Sequence, residues 1–182
     1  MSELEDQLTA LRSRLASELR AQWQRDLPFD ELISDRWRRA EELGFGEGAS
    51  IYATSYVYGD VRVGAGTWIG PFTLLDGSGG IEIGSTCSIS TGVQIYTHDT
   101  VRWALSGGVA APERESVGIG NRCYIGPNAV VAAGVQIGDE CVVGACSFVN
   151  RDLPDRTIAV GIPCRSIGRV EIDGGRIELR YD

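Results

Sequence analysis

The chain has 182 residues, a length that suits one domain plus a small appendage. A net charge of −8 argues against a nucleic-acid partner, whose binding rests on neutralised phosphates, and all 17 basic residues are arginines, which excludes lysine Schiff-base chemistry and a P-loop. No apolar run approaches the roughly 18 residues that span a membrane, and the acidic start MSELEDQLTA lacks a signal-peptide profile, so no membrane insertion is expected and the cytoplasm is the expected compartment.

Residues 2–25 carry Leu4, Leu8, Leu11, Leu15 and Leu19, a helical stripe, and Ser2 with Glu5 has the spacing of a capping box. Pro28 ends that helix, and Asp30 is expected to cap a second one through about Glu42. This helical segment, residues 1–46, has two readings: a cap on the end of the main domain, or a contact between copies of the chain.

From Ile51 onward an apolar residue returns every six positions. The series runs Ile51, Val57, Val63, Ile69, Leu75; after a two-residue slip Ile83, Ile89, Ile95; after a longer break Ile119, Ile125, Val131, Ile137, Val143, Val149. Helices repeat at three and four, and plain strands alternate at two, so a period of six is neither. Four residues after each anchor stands a compact residue, such as Ser55, Thr67, Thr73, Cys87, Cys123, Ala129, Cys141 or Ser147. One residue after the anchor is often glycine, expected to supply the positive φ of a sharp corner. Three such segments close a triangular coil, and stacked coils bury a narrow core: a parallel β-helix, expected over residues 47–169.

The five cysteines are odd in number and have no CxxC spacing, which disfavours a disulfide framework or a structural zinc site. Cys87, Cys123 and Cys141 fall in the compact slot, where a thiol serves as a small apolar group; Cys146 and Cys164 lie off it.

Two interruptions break the period. DGSGG, Asp76 to Gly80, is short and polar. The longer one, residues 101–116, leaves the coil as an extruded loop, and loops of this length in a compact repeat are commonly functional. His98, the only histidine, stands immediately before it. It is a catalytic base, a metal ligand or a loop residue without a role. Asp99 either orients its imidazole or simply forms the turn. Trp103 is a lid over a substrate or an anchor for the loop. At the far end, residues 170–182, VEIDGGRIEL, read as a β-hairpin turning about Asp173-Gly174.

The repeat, the histidine before an extruded loop, and the run IGNRCYIGPNAVVAAGVQIGDECVVGACSFVNRDLPDRTIAVGIPCRSI together resemble the hexapeptide-repeat acyltransferases, in the subgroup of maltose, galactoside and nucleotide-sugar O- and N-acetyltransferases. The resemblance covers residues 51–170. It implies a left-handed β-helix, a homotrimer with sites between neighbouring coils, acetyl-CoA as donor, a sugar acceptor such as a nucleotide sugar or surface-polysaccharide precursor, no metal, and His98 as base. It further implies that Ala145 lines the pantetheine arm, that Asn150 and Arg151 contact the pantetheine or phosphates, that Arg165 lies near the adenosine phosphates, and that Tyr124 walls the acceptor pocket; with such a donor, the lid reading of Trp103 places it over the pantetheine as a substrate-binding residue. Galactoside-type members carry an acceptor-binding asparagine in an early coil, where this chain has Gly70-Pro71-Phe72-Thr73.

The chemistry is coherent. An alcohol or amine must shed a proton as it attacks a thioester, and a neutral imidazole, which titrates near 6.5 when free, takes it. Two other functions use such coils. A carbonic anhydrase of the γ type holds zinc with three histidines, and one histidine per chain does not supply them. A non-catalytic scaffold is the other, distinguished by failure to bind acetyl-CoA.

Overall fold

The computed structural model describes residues 2–182; Met1 lies outside them. Three helices precede the coil: α1 (Glu3–Trp23), α2 (Phe29–Ile33) and α3 (Arg36–Glu42). The capping box forms as the spacing predicts, with the Glu5 N–H donating to Ser2 Oγ and the Ser2 N–H donating to the Glu5 carboxylate. Asp30 caps nothing. The chain breaks again at Ser34, and Asp35 takes the Trp37 and Arg38 N–H groups at 2.9 and 3.1 Å. Asp35→Ala should therefore cost about 1 kcal/mol, and Asp30→Ala less than about 0.5, in urea unfolding.

The helical segment divides into two parts. The α2–α3 pair caps the first coil: Ala40, Phe45 and Ala49 close the end of the core. Glu31 accepts from the Ala53 and Thr54 N–H groups at 3.1 and 2.9 Å, and Arg39 donates to the Ser55 carbonyl at 2.7 Å. By contrast, α1 buries no residue, and Leu4 and Leu8 of its stripe stay exposed. No helix is long and apolar enough to cross a membrane among the described residues.

The period of six becomes a three-faced parallel solenoid. Ser50–Ile51, Trp68–Ile69, Ser88–Ile89, Tyr124–Ile125, Val142–Val143 and Thr157–Val160 stack in register on the first face. The second face stacks Tyr56–Tyr58, Leu74–Asp76, Gln94–Tyr96, Val130–Val131 and Phe148–Val149. The third stacks Val61–Val63, Ile81–Ile83, Val117–Ile119 and Gln136–Ile137, and ends in a bridge to Leu153. One circuit carries Ile51 onto Ile69 and Ile125 onto Val143. Every anchor is buried except Val57, which is partly so. Full burial of such a side chain contributes about 1.5–3 kcal/mol, so the apolar column, not the two-residue strands, holds the coil.

The compact slot is filled as the sequence implies. Cys87, Cys123 and Cys141 stack on successive circuits, unpaired and buried. Each thiol points at a carbonyl of the next circuit: Gly120 at 3.1 Å, Gly138 at 3.0 Å and Pro154 at 3.1 Å. Cys164 is also buried, and Cys146 is exposed at a corner. Thr73 is the exception: its hydroxyl is fully buried and finds no partner among the described residues. Thr73→Val keeps the shape and removes the desolvated group, so stability in urea should rise by about 1 kcal/mol. A loss would mean that the hydroxyl has a partner in solution.

The corners differ from expectation in one respect. Glycines after the anchors do not supply positive φ. That conformation falls two residues further on and is taken by Thr86, Arg122, Asn128, Glu140, Cys146 and Arg156 as well as by glycines. The glycine after the anchor is there because circuits nearly touch: a Cβ on Gly126 would lie 2.6 Å from the Ala145 nitrogen. On one corner the left-handed residues are charged and link circuits, the buried Glu140 receiving Arg156 and Arg122 from the circuits on either side.

The first interruption is no loose loop. Leu74–Ile83 is one strand that bends around the corner between second and third faces. The second interruption begins earlier than the failing anchors suggest. His98–Asp99 pairs antiparallel with Glu113–Arg114, and the tip between them holds α4 (Val101–Leu105). The C-terminal hairpin forms from Arg165–Asp173 and Arg176–Tyr181. Its turn is centred on Gly174-Gly175, one residue later than expected, because both have the positive φ that a two-residue turn demands.

Candidate functional site

The two breaks in the period fall on the same corner, one circuit apart. Leu75 pairs with Ile95 on the second face, so the chain after Leu75 (Asp76 to Gly80) lies directly beside the chain after Ile95 (Tyr96 to Asp99). The inserted residues fit because circuits approach closely here. A Cβ on Gly79 would lie 2.6 Å from the Thr97 carbonyl oxygen. The Gly79 N–H donates to Thr97 Oγ1 at 2.7 Å, which ties the insertion to the base of the extruded arm.

This packing gives His98 its partner. Asp76 Oδ2 contacts His98 Nδ1, with the carboxylate only 4% exposed and the imidazole 36%. Asp76 Oδ1 is held separately by Ser78, whose Oγ–H and N–H donate at 2.6 and 3.2 Å. Burial alone would raise the Asp76 pKa; the two Ser78 bonds and the contact with His98 outweigh it and hold the carboxyl below its ordinary value. A depressed carboxyl stabilises the fold fully above the range where free aspartates titrate. That contribution is lost as pH falls through the lowered value. An ionised carboxylate accepts only, so in the neutral imidazole Nδ1 carries the proton and Nε2 keeps a lone pair. The arrangement, a buried carboxylate against a half-exposed imidazole, has the chemistry to orient and use a base.

The remaining expected residues divide into two groups. Among the described residues Asp99 makes no hydrogen bond to the imidazole; its Oδ1 accepts the Val101 N–H at 3.0 Å and turns the chain into α4. Trp103, in α4, is half-exposed and packs over Gly108 within the extruded arm. An Arg102–Glu113 ion pair at 2.8 Å braces the arm across its base. Asn150 and Arg151 are exposed and follow Val149, which stacks on Val131 and through it on Ile95. They therefore share His98's corner, two circuits away, about 10 Å along the axis.

Ala145, Arg165 and Tyr124 lie elsewhere. Ala145 is exposed on the corner between first and second faces. Arg165 is exposed near that corner, at the start of the strand that pairs with Val160, and its guanidinium donates to the Cys164 carbonyl at 2.8 Å. Tyr124 is 41% exposed on the first face, between Ser88 and Val142. Within one chain the two groups do not meet.

Sequence reasoning missed Asp76, Ser78 and Arg114. The only trace of the first two was the slip in the period, which reads as a short polar insertion until its place beside His98 is known. Arg114 is the register partner of His98 in the arm. Among the described residues no group of three His, Cys, Asp or Glu side chains is placed to hold a metal ion.

Residues 116–151 match the bacterial transferase hexapeptide (six repeats) family model. The chain is 46% identical over 52 residues to galactoside O-acetyltransferase of Escherichia coli K12, a stretch that spans 29% of this chain and 26% of that enzyme. The chain spans about half or less of the length of several such curated relatives. Among solved structures, a hexapeptide-repeat acetyltransferase of Vibrio cholerae O1 biovar eltor, complexed with acetyl coenzyme A, aligns at 27% identity and a TM-score of 0.66, covering 92% of this chain and 90% of that one. A mutant of AntD, an N-acyltransferase from Bacillus cereus in complex with dTDP and coenzyme A, aligns at 25% identity and a TM-score of 0.60, covering 71% and 88%.

Proposed function

Because the chain belongs to the hexapeptide-repeat, left-handed β-helix acyltransferases, we propose that it transfers an acetyl group from acetyl-CoA to a hydroxyl or amine of a sugar, with a nucleotide sugar or surface-polysaccharide precursor as the acceptor class. The observation that carries this reading is the contact between buried Asp76 and half-exposed His98 at the root of the extruded arm.

In this mechanism the acceptor's O–H or N–H points at His98 Nε2. As the acceptor attacks the thioester carbonyl, its proton passes to Nε2, and the resulting imidazolium is stabilised by the Asp76 carboxylate. The tetrahedral intermediate collapses with cleavage of the C–S bond, and the thiolate takes the proton back from Nε2. Atoms balance without a covalent acyl-enzyme: acetyl-CoA and acceptor enter, acetylated acceptor and CoA thiol leave. A base of this kind contributes about 10² to 10⁴ in rate. Asp76 is the positioning residue for the imidazole. Asp99 shapes the turn that presents it.

Donor binding is assigned to two chains. Asn150 and Arg151 stand on His98's corner and contribute from its side. Ala145, Arg165 and Tyr124 contribute from the neighbouring copy, Ala145 against the pantetheine, Arg165 toward the adenosine phosphates and Tyr124 against the acceptor, with Trp103 walling the pocket from the arm. The separation of the two groups on one chain supports a site completed between subunits, hence a homotrimer, in the cytoplasm where acyl-CoA donors are made.

Free-thiol release from acetyl-CoA, assayed over a panel of sugars, tests the reaction, and sedimentation tests the trimer. Calorimetry showing no acetyl-CoA binding would reject the reading in favour of a scaffold.

A further inference from the structure

Arg114 faces the base. The Glu115 N–H donates to the Thr97 carbonyl at 2.9 Å, so residues 97 and 115 form a hydrogen-bonded pair and the next pair inward, His98 with Arg114, is a non-hydrogen-bonded one. In such pairs Cα atoms lie about 4.5 Å apart and both side chains leave on the same face. An arginine side chain from that position reaches the space in front of the imidazole.

Its guanidinium is also uncommitted. Arg62 pairs with Asp60 and Arg102 with Glu113 on the same side of the molecule. Arg114 is exposed and has no carboxylate within 4.0 Å among the described residues. Three nearby acids are engaged otherwise, Asp76 by His98 and Ser78, Asp99 by the Val101 N–H and Glu113 by Arg102, and Glu115 is turned toward Gly134 of the next circuit. A free cation beside a general base is placed to bind an anion on whatever the base deprotonates.

That anion does not belong to the donor. The reacting end of acetyl-CoA is a neutral thioester, and its phosphates lie a whole pantetheine arm away. Resting on the acetyl-transfer reading, we propose that Arg114 binds a phosphate or carboxylate of the acceptor and so selects anionic sugars over neutral ones. A guanidinium suits either group through paired N–H donors.

The test compares glucose with glucose 6-phosphate, UDP-glucose and glucuronic acid at saturating acetyl-CoA, in the wild type, Arg114→Gln and Arg114→Lys. The phosphate and carboxylate arms distinguish which anion is read. The wild type should prefer an anionic probe over glucose by about tenfold or more in kcat/KM. Arg114→Gln should raise KM for that probe about ten- to hundredfold and leave glucose and the KM for acetyl-CoA unchanged, with Arg114→Lys between. An equal fall in kcat for glucose and the anionic probes would assign Arg114 to the transition state and overturn the proposal, as would no change at all. If acetyl-CoA binds yet no probe is acetylated, calorimetry with UDP-glucose and glucuronic acid decides, and equal affinities in wild type and Arg114→Gln overturn it. If acetyl-CoA itself does not bind, the acetyltransferase reading fails instead.

Discussion

Replacing His98 with alanine should lower kcat by about 10² to 10⁴ while acetyl-CoA affinity and the unfolding transition stay close to wild type. The expectation rests on where the side chain sits. The imidazole lies outside the apolar column, at the root of an arm whose ladder and Arg102–Glu113 brace do not depend on it. Asp76 keeps both Ser78 bonds when the ring is gone. His98→Gln, which retains a polar side chain, should lose turnover to the same extent. Turnover within about twofold of wild type in both variants would remove His98 from the chemistry.

Asp76→Asn should cost about 10² to 10⁴ in kcat with little change in KM for acetyl-CoA, although it alters one atom and touches no substrate. Ser78 presents two donors to Oδ1, so the amide oxygen of an asparagine stays on that side. Its NH2 group then replaces Oδ2 and donates to His98 Nδ1. The ring's proton is forced onto Nε2, the atom that must accept one. Ser78→Ala in the Asp76→Asn background removes the shorter of the two bonds but keeps the backbone N–H on that side, so it should restore little of the activity. Asp99→Asn should leave kcat nearly unchanged, since Asp99 faces the Val101 N–H. If Asp99→Asn were the damaging change and Asp76→Asn harmless, the imidazole in solution would be oriented by Asp99 and not by Asp76.

Much of this molecule was legible in its residues. The return of Ile, Leu or Val every six positions survives in space as a buried column, because a corner that recurs at a fixed interval leaves each anchor only one direction to point. The compact slot held for a similar reason: inside the narrow coil it has room for a hydroxyl, a thiol or at most a valine, as at Val93 and Val135. His98 stood out as the only imidazole in the chain, beside the longest break in the repeat.

Local signals misled where two residues competed for one duty. Asp30 has the chemistry of a cap, but the chain breaks at Ser34 and the duty passes to Asp35. The glycines after the anchors were credited with turning the chain, yet they yield space to the next circuit, a demand that appears only once circuits are stacked.

By itself, then, the order of residues determined the solenoid, its core and the single imidazole beside the extruded arm, since all of these arise from periods and from residue types that act within one circuit. Which acid contacts that imidazole, which cation stands opposite it, and which other side chains fall on its corner were decided by tertiary pairing. Asp76 and His98 are 22 positions apart and Arg114 lies 16 beyond. The register between circuits brings the first two together and the antiparallel ladder of the arm brings the third, both set by backbone hydrogen bonds that carry no side-chain signature.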